Sequence, residues 1–422
     1  MGQTLAEKLL SVKVGRAVRA GEIVDVAVDL AYTWEGILPI FRADFESFGR
    51  PVWDPERIAI NIDHFPAPNP SYAELIRETV DFAHRQGIRN LSQRGGVPNQ
   101  QVIDAGLCRP GMVVVGTDSH AVTVGALCAF STGIGTTEML SVFLTGAIWF
   151  RVPESIRLLV RGHLGHGVTP KDLALATARR LGTDGASYMA LEGGGPGIAS
   201  LGISGRQTLC NLAVEMGAKV GLLPSDDRTV AFCEALGMTE IERIAPDPDA
   251  NYVKTVELDL DPIGPLVAAP SSPATGVDVG EIGKGIQVDQ AYIGTCSGGR
   301  LEDLHFAAEI LRGRQVHDRV RLVVVPTTEY VYKEASADGT LAILAAAGAT
   351  IQNANCGACL GMHQGVLGAG DVCISSGNRN YPGRMGHRDS AIYLASAYTV
   401  AASAIAGEIV DPREFLRTKL PL

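Results

Sequence analysis

Three cysteines of this 422-residue chain stand in turns where a backbone can come close to a bound group. Cys356 and Cys359 flank a Gly-Ala pair within Asn353-Ala-Asn-Cys356-Gly-Ala-Cys359-Leu-Gly-Met-His363. Cys296 lies upstream in Ile293-Gly-Thr-Cys296-Ser-Gly-Gly-Arg300. Glycine-rich turns allow such close approach. Three thiolates and one open position is the ligand count of a metal centre that does chemistry, whereas a closed structural site holds four. Thiolates favour zinc or iron–sulfur over magnesium or calcium. A C-x-x-C pair alone also reads as a redox pair or half a zinc site. What favours a reacting centre is the polar run downstream, Asp371-Val-Cys-Ile-Ser-Ser-Gly-Asn378-Arg379-Asn380-Tyr-Pro-Gly-Arg384. The remaining thiols, Cys108, Cys128, Cys210, Cys233 and Cys373, lie in apolar or turn contexts and read as small buried hydrophobes.

A second group of residues could move protons. Asp63-His64 follows the strand-like Arg57-Ile-Ala-Ile-Asn-Ile62, and Asp118-Ser119-His120 follows Met112-Val-Val-Val115. Cys296 follows Ala291-Tyr-Ile-Gly294 in the same way, and Ser376-Gly-Asn378 follows Val372-Cys-Ile-Ser375. Strands alternating with helices imply parallel, doubly wound sheets, whose ligands bind beyond the carboxyl ends of the strands. Four loaded motifs at four strand ends argue for one shared cleft; a single Asp-His pair would equally be a satisfied turn. A predicted helix from about Gly205 to Met216 carries Asn211 and Glu215 on one face, and Glu215 could equally pair with Lys219 one turn on.

The elements around these motifs read as three α/β segments: residues 1–150 with the Asp-His motifs, a smaller 151–258 with the Asn211/Glu215 helix, and 259–422 with the cysteines. Helices are expected over 4–12, 72–86, 136–150, 170–181, 302–312 and 339–348, and strands over 22–30, 155–161 and 321–325. The Ala/Ser-rich run 390–407 reads as one buried helix between Asp389 and Gly407. Gly193-Gly-Gly-Pro-Gly197 lacks a following Gly-Lys-Ser/Thr and reads as a loop. A net charge of −10 leaves no footprint for nucleic acid or anionic membrane. Acidic substrates would need local cations, which Arg379, Arg384 and Arg388 supply. No signal-peptide pattern opens the chain. Eight sparse cysteines suit a reducing cytoplasm.

The segments G-T-C-S-G-G-R-L-E-D-L, C-G-A-C-L-G-M-H and S-G-N-R-N-Y-P-G-R-M-G resemble the cluster motifs of the aconitase superfamily. Within it they are most similar to the isopropylmalate dehydratase large-subunit family. The resemblance implies α/β/α-type domains around a cleft holding a [4Fe–4S] cluster on Cys296, Cys356 and Cys359. It implies a hydro-lyase that dehydrates and rehydrates a hydroxy-dicarboxylate. Asp63, His64, Asp118, His120 and Glu215 match catalytic positions; Ser119, Asn211, Asn378, Arg379 and Arg384 match polar residues around cluster and substrate. Single-chain relatives continue into a swivelling domain with a serine base. Nothing after Arg417-Thr-Lys-Leu-Pro-Leu422 matches it, so a separate small subunit is expected as partner. A zinc hydrolase and a cluster-free RNA-binding role are the readings from other classes.

The chain departs from the family pattern at three places. It reads Gly96-Val-Pro-Asn99-Gln100 where relatives carry G-I-C-H-Q, so Asn99 replaces a histidine expected to partner Asp118. Asparagine holds a hydrogen bond but cannot titrate near neutrality. Ser297-Gly298 replaces Thr-Asn, and C-G-A-C replaces C-G-P-C. These changes point to a paralogue with another substrate as the alternative to isopropylmalate isomerisation.

Overall fold

The structure is a computed structural model that describes residues 2–416; the expectation drawn from Arg417–Leu422 lies outside them. The backbone forms two compact units, Met1–Arg161 with Asp184–Leu258, and Gly162–Thr183 with Asp259–Leu422. The helix Pro170–Leu181, expected among its neighbours in sequence, belongs to the second unit. Its buried Asp172 accepts the backbone N–H of Leu266 at 2.7 Å, which ties it there.

In the first unit, β1 (Ile23–Ala27) leads into β2 (Leu30–Trp34), β3 (Ile58–Asn61), β4 (Asn90–Ser92), β5 (Val113–Gly116), β6 (Phe130–Gly133) and β7 (Ala147–Arg151). Strands β4-β3-β2-β5-β6 form a parallel sheet. Apart from Leu91 on the edge strand β4, their aliphatic residues are buried on both faces, as parallel strands between helices require. The chain adds β3 and β4 on one side of β2, then returns to add β5 and β6 on the other. The order therefore reverses between β2 and β5, a point beyond which ligands commonly bind.

The expected strand over 22–30 is two. Asp29 breaks it, accepting the N–H of Val113 at 2.7 Å and pairing with Lys13 at 2.7 Å. The expected helix over 136–150 stops at Thr145, because Gly146 takes a left-handed φ of 69° and Ala147–Arg151 pairs antiparallel with β1. Leu5–Val14 and Pro70–Gln86 form as the pattern predicts, with Thr4 and Asn69 as N-caps and Gly15 and Gly87 as left-handed caps. A separate four-stranded sheet follows in the order β10-β9-β8-β11, from β8 (Ser155–Arg161), β9 (Ala190–Gly194), β10 (Val220–Leu222) and β11 (Lys254–Asp259).

The second unit holds β12 (Leu266–Ala268), β13 (Gly276–Asp278), β14 (Gln290–Ile293), β15 (Arg321–Val324), β16 (Thr350–Ile351), β17 (Val372–Ser375) and β18 (Ala391–Ala395), ordered β13-β12-β18-β17-β14-β15-β16. From β18 to β16 the pairs are parallel. The order reverses between β14 and β17. The run 390–407 is not one helix. Its first part pairs with β17 as β18; Ser396 then caps a helix Ala397–Ala406, which ends at left-handed Gly407.

Candidate active site

In the first unit, the carboxyl ends of β3, β2 and β5 carry the proton-moving candidates. Asp63 and His64 follow β3 and are buried. They are held by Glu35, just past β2, whose carboxylate accepts the backbone N–H groups of Asp63 and His64, each at 2.8 Å. Glu35 also lies 3.4 Å from His64 Nδ1, and the Tyr72 hydroxyl lies 3.3 Å from that nitrogen. Glu35 is fully buried, and sequence reasoning missed it. Its signal was position: a carboxylate at the end of a strand next in register to the one bearing Asp63.

Asp118, Ser119 and His120 follow β5. Asn99 Nδ2 donates to Asp118 Oδ2 at 2.5 Å, and Asp118 Oδ1 accepts the N–H of His120 at 2.9 Å. His120 Nε2 meets Glu215 Oε1 at 2.8 Å, and its Nδ1 lies 3.6 Å from Asp118 and 3.4 Å from the Ser119 hydroxyl. Asn211 donates to Thr123 Oγ1 at 2.8 Å, and Thr123 donates to the His120 carbonyl at 2.6 Å. The helix Ile203–Ala213 and the 3-10 turn Val214–Met216 thus deliver Asn211 and Glu215 into one network with Asp118, Ser119 and His120. Glu215 faces His120, while Lys219 stacks its ammonium 5.3 Å from the Phe150 ring and 5.7 Å from Tyr188.

Burial pushes the His120 pKa down, but the Asp118 and Glu215 carboxylates overcome this and hold it above the ordinary histidine value. Burial raises Asp118, yet His120 and the Asn99 amide outweigh that and hold it below the carboxylate range. The two carboxylates thus favour the imidazolium form of His120. Its charged form stabilises the fold fully below about pH 6.5, the unfolded histidine value, and that contribution is lost as pH rises through the higher folded value. NMR titration of His120 should place its midpoint above about 6.5, and Glu215→Gln should lower it. A wild-type midpoint below the ordinary value would contradict the arrangement.

The second unit brings the cysteine trio and its neighbours to the ends of its parallel strands. Cys296 follows β14, Cys356 and Cys359 follow β16, and Asn378 follows β17, across the reversal point from Cys296. Asn378 Nδ2 donates to Cys296 Sγ at 3.2 Å, and Arg384 Nη2 donates to Cys359 Sγ at 3.3 Å. The Tyr292 hydroxyl donates to the Cys356 carbonyl at 3.0 Å. Gly357 holds a φ of 58°, and a Cβ there would sit 2.1 Å from that hydroxyl, so only glycine fits. Asn355 accepts the Gly357 N–H.

This donor set fits an anionic sulfur-ligated group: soft thiols in close-approach turns, with N–H groups aimed at two of the sulfurs. Arg379 is half-buried in the same turn as Asn378, whereas Arg388 is exposed and Asn380 serves the fold by donating to the Ala269 carbonyl at 2.6 Å. The other thiols are core. Burial raises the pKa of Cys108, Cys210 and Cys373, pushes Cys128 up to about 12 and Cys233 to about 11. None of the eight cysteines is in a disulfide.

Sequence reasoning also missed Lys171 and singled out no role for Arg300. Arg300 is buried and donates to the Cys296 carbonyl at 2.7 Å and the Ser297 carbonyl at 3.2 Å.

A sequence profile of the aconitase family (aconitate hydratase) matches residues 68–407. The chain belongs to the aconitase family. It is thereby an enzyme of the hydro-lyase class, and members of this family carry an iron–sulfur cluster. The 3-isopropylmalate dehydratase large subunit 1 of Methanopyrus kandleri is 47% identical over 419 residues, covering 99% of this chain and all of the relative. The homoaconitase large subunit of Thermus thermophilus is 48% identical over 417 residues, covering 98% of each. The aconitase X of Thermococcus kodakaraensis in its holo form shares the fold, with a TM-score of 0.52 over 91% of this chain and 92% of that one at 13% identity. No helix among the described residues of this aconitase-family chain is long and apolar enough to cross a membrane.

Proposed function

We propose that the chain is the cluster-bearing large subunit of a 3-isopropylmalate dehydratase, acting with a separate small subunit in the cytoplasm. The full-length similarity to a named 3-isopropylmalate dehydratase large subunit carries this reading. The sulfur-directed donors Asn378 and Arg384 support the site chemistry. A [4Fe–4S] cluster on Cys296, Cys356 and Cys359 would supply a Lewis acid for the substrate's hydroxyl and carboxylate.

The chain's own residues supply the rest. Arg379 and Arg384 offer guanidinium forks that match a substrate carboxylate. His120, held cationic by Asp118 and Glu215, is the proton donor for the departing hydroxyl, which leaves poorly from carbon unless protonated. Ser119 and Asn211 orient that donor, one beside its ring and the other through Thr123. Asp63 and His64, braced by Glu35, form a second acid–base pair. Proton removal from the adjacent carbon is assigned to a serine base on the small subunit, as the family resemblance implies. The large chain alone should therefore turn over very little, and the cognate small subunit should restore activity.

A second reading, a homoaconitase-type enzyme, is favoured by the Thermus relative and by Asn99. The Asn99 amide must point its NH2 at the Asp118 carboxylate, which leaves its buried Oδ1 without a hydrogen-bond partner among the described residues. Anaerobic assay of the two-subunit enzyme on a panel of hydroxy-di- and tricarboxylates separates the readings. Efficient 3-isopropylmalate turnover supports the first; weak turnover beside a better hydroxy-tricarboxylate supports the second. In either case Asn99→His should not raise activity on the true substrate, because His120 already supplies the titrating group. A several-fold gain would place the missing proton carrier at position 99. Zinc without iron or acid-labile sulfide in the purified protein would end the cluster model.

A further inference from the structure

Lys171 is in the wrong place for a lysine. It sits in the first turn of the helix Pro170–Leu181, whose N-terminus disfavours a cation, and its side chain is almost fully buried, at 3% exposure. Burying an ammonium is costly unless its hydrogens are satisfied. Here they reach the turns that follow β14 and β17. Lys171 Nζ donates to Ser297 Oγ at 3.1 Å, to the Ser376 carbonyl at 3.0 Å and to the Gly377 carbonyl.

These acceptors flank the sulfur-binding elements directly. Ser297 is next to Cys296, and Gly377 is next to Asn378, whose amide donates to Cys296 Sγ. The two turns already touch: a Cβ on Gly298 would lie 2.3 Å from the Ser376 carbonyl, and Ser297 Oγ donates to that carbonyl at 3.2 Å. On its other side the Cys296 turn is gripped by Arg300, which lies 3.7 Å from the buried carboxylate of Asp303. Burial pushes the Asp303 pKa up to about 6 against the pull of Arg300 and the weaker one of Lys171.

We propose that Lys171 is a positioning residue for Cys296: its buried ammonium clamps the Cys296 turn to the Asn378 turn and so fixes the thiol and its N–H donor at one geometry. The proposal rests on the cluster reading only for its consequence. The pairing of β14 with β17 sets the register of the strands that lead into the two turns, and the hydrogen bonds of this one point charge add a tie between the turns themselves. A cluster ligand held this way stays aligned when the bound group is absent, so loading needs no rearrangement of that turn.

Lys171→Gln tests the clamp, because glutamine keeps donors but loses reach and charge. The first readout needs no cluster: competitive alkylation of the apo chain, resolved by peptide mass spectrometry. Cys296 should react at least about tenfold faster in the variant than in the wild type, while Cys359, on a separate turn, stays within about twofold. The second readout is cluster lifetime in air after anaerobic reconstitution, which should shorten several-fold. If Lys171→Gln does not fold, Ser297→Ala removes one acceptor and carries the same comparison. Unchanged Cys296 alkylation in a folded variant overturns the clamp. Uniform acceleration at Cys296 and Cys359 also overturns it, because it marks general loosening. A wild-type chain that takes up no iron fails the cluster reading, and the alkylation ratio still decides the clamp.

Discussion

Cys356→Ser should remove the broad charge-transfer band of the reconstituted protein and its turnover together. Cys356 is buried at the entry to a tight turn, and its carbonyl is pinned by the Tyr292 hydroxyl at 3.0 Å. Gly357 cannot relax, since any side chain would meet the same hydroxyl. The turn therefore has no freedom to bring a shorter, harder hydroxyl to a soft metal, and serine does not ionise near neutrality as a thiol can. Iron and sulfide analysis should fall well below the about four of each that the proposed [4Fe–4S] cluster requires. Cys373→Ser is the matched control. Cys373 is buried in β17, and a hydroxyl there should cost about 1–3 kcal/mol of stability while the cluster stays. Full activity in Cys356→Ser would remove the cluster from the mechanism.

The second large effect is expected at Glu215. Glu215→Gln keeps the size of the side chain and removes the charge that holds His120 as an imidazolium from 2.8 Å. Complete loss of a general acid costs about 10²- to 10⁴-fold in rate; Glu215→Gln weakens His120 without removing it, so kcat should fall by up to that range while KM moves little. The alkaline limb of the profile carries the diagnosis. With one carboxylate gone, His120 deprotonates at lower pH, so whatever activity remains should decline earlier as pH rises. A variant with wild-type kcat and an unshifted profile would mean that His64 carries the proton instead. Lys219→Met should leave the profile in place, because Lys219 stacks on Phe150 and Tyr188 and does not pair with Glu215.

Local patterns alone specify much of this protein. The helix Pro170–Leu181 and the strands Ser155–Arg161 and Val372–Ser375 lie where their periodicity and caps place them. Errors fell where tertiary pairing competes with local preference. The Ala-rich run 390–407 is apolar along its length, so its hydropathy does not say that Ala391–Ala395 form a strand beside β17 while the rest coil behind Ser396. The stretch 136–150 is similar: only pairing with β1 turns Ala147–Arg151 into a strand.

The same division holds for the site. Asp118, His120, Cys296, Cys356 and Asn378 were visible in the sequence because each is a reactive type in a short turn after an apolar strand, and strand direction is written in that order. What sequence cannot contain is which strand ends are neighbours. Glu35 and Asp63 are 28 residues apart in the chain and become partners because β2 and β3 pair in parallel. Lys171 and Ser297 are 126 apart, and only the packing of one helix against the second unit's sheet brings that ammonium beneath Cys296. The candidate site residues were thus legible in the sequence itself. Their charge states and supports were decided by the tertiary structure, because a buried group's protonation depends on the few atoms around it, and those atoms come from distant segments of the chain.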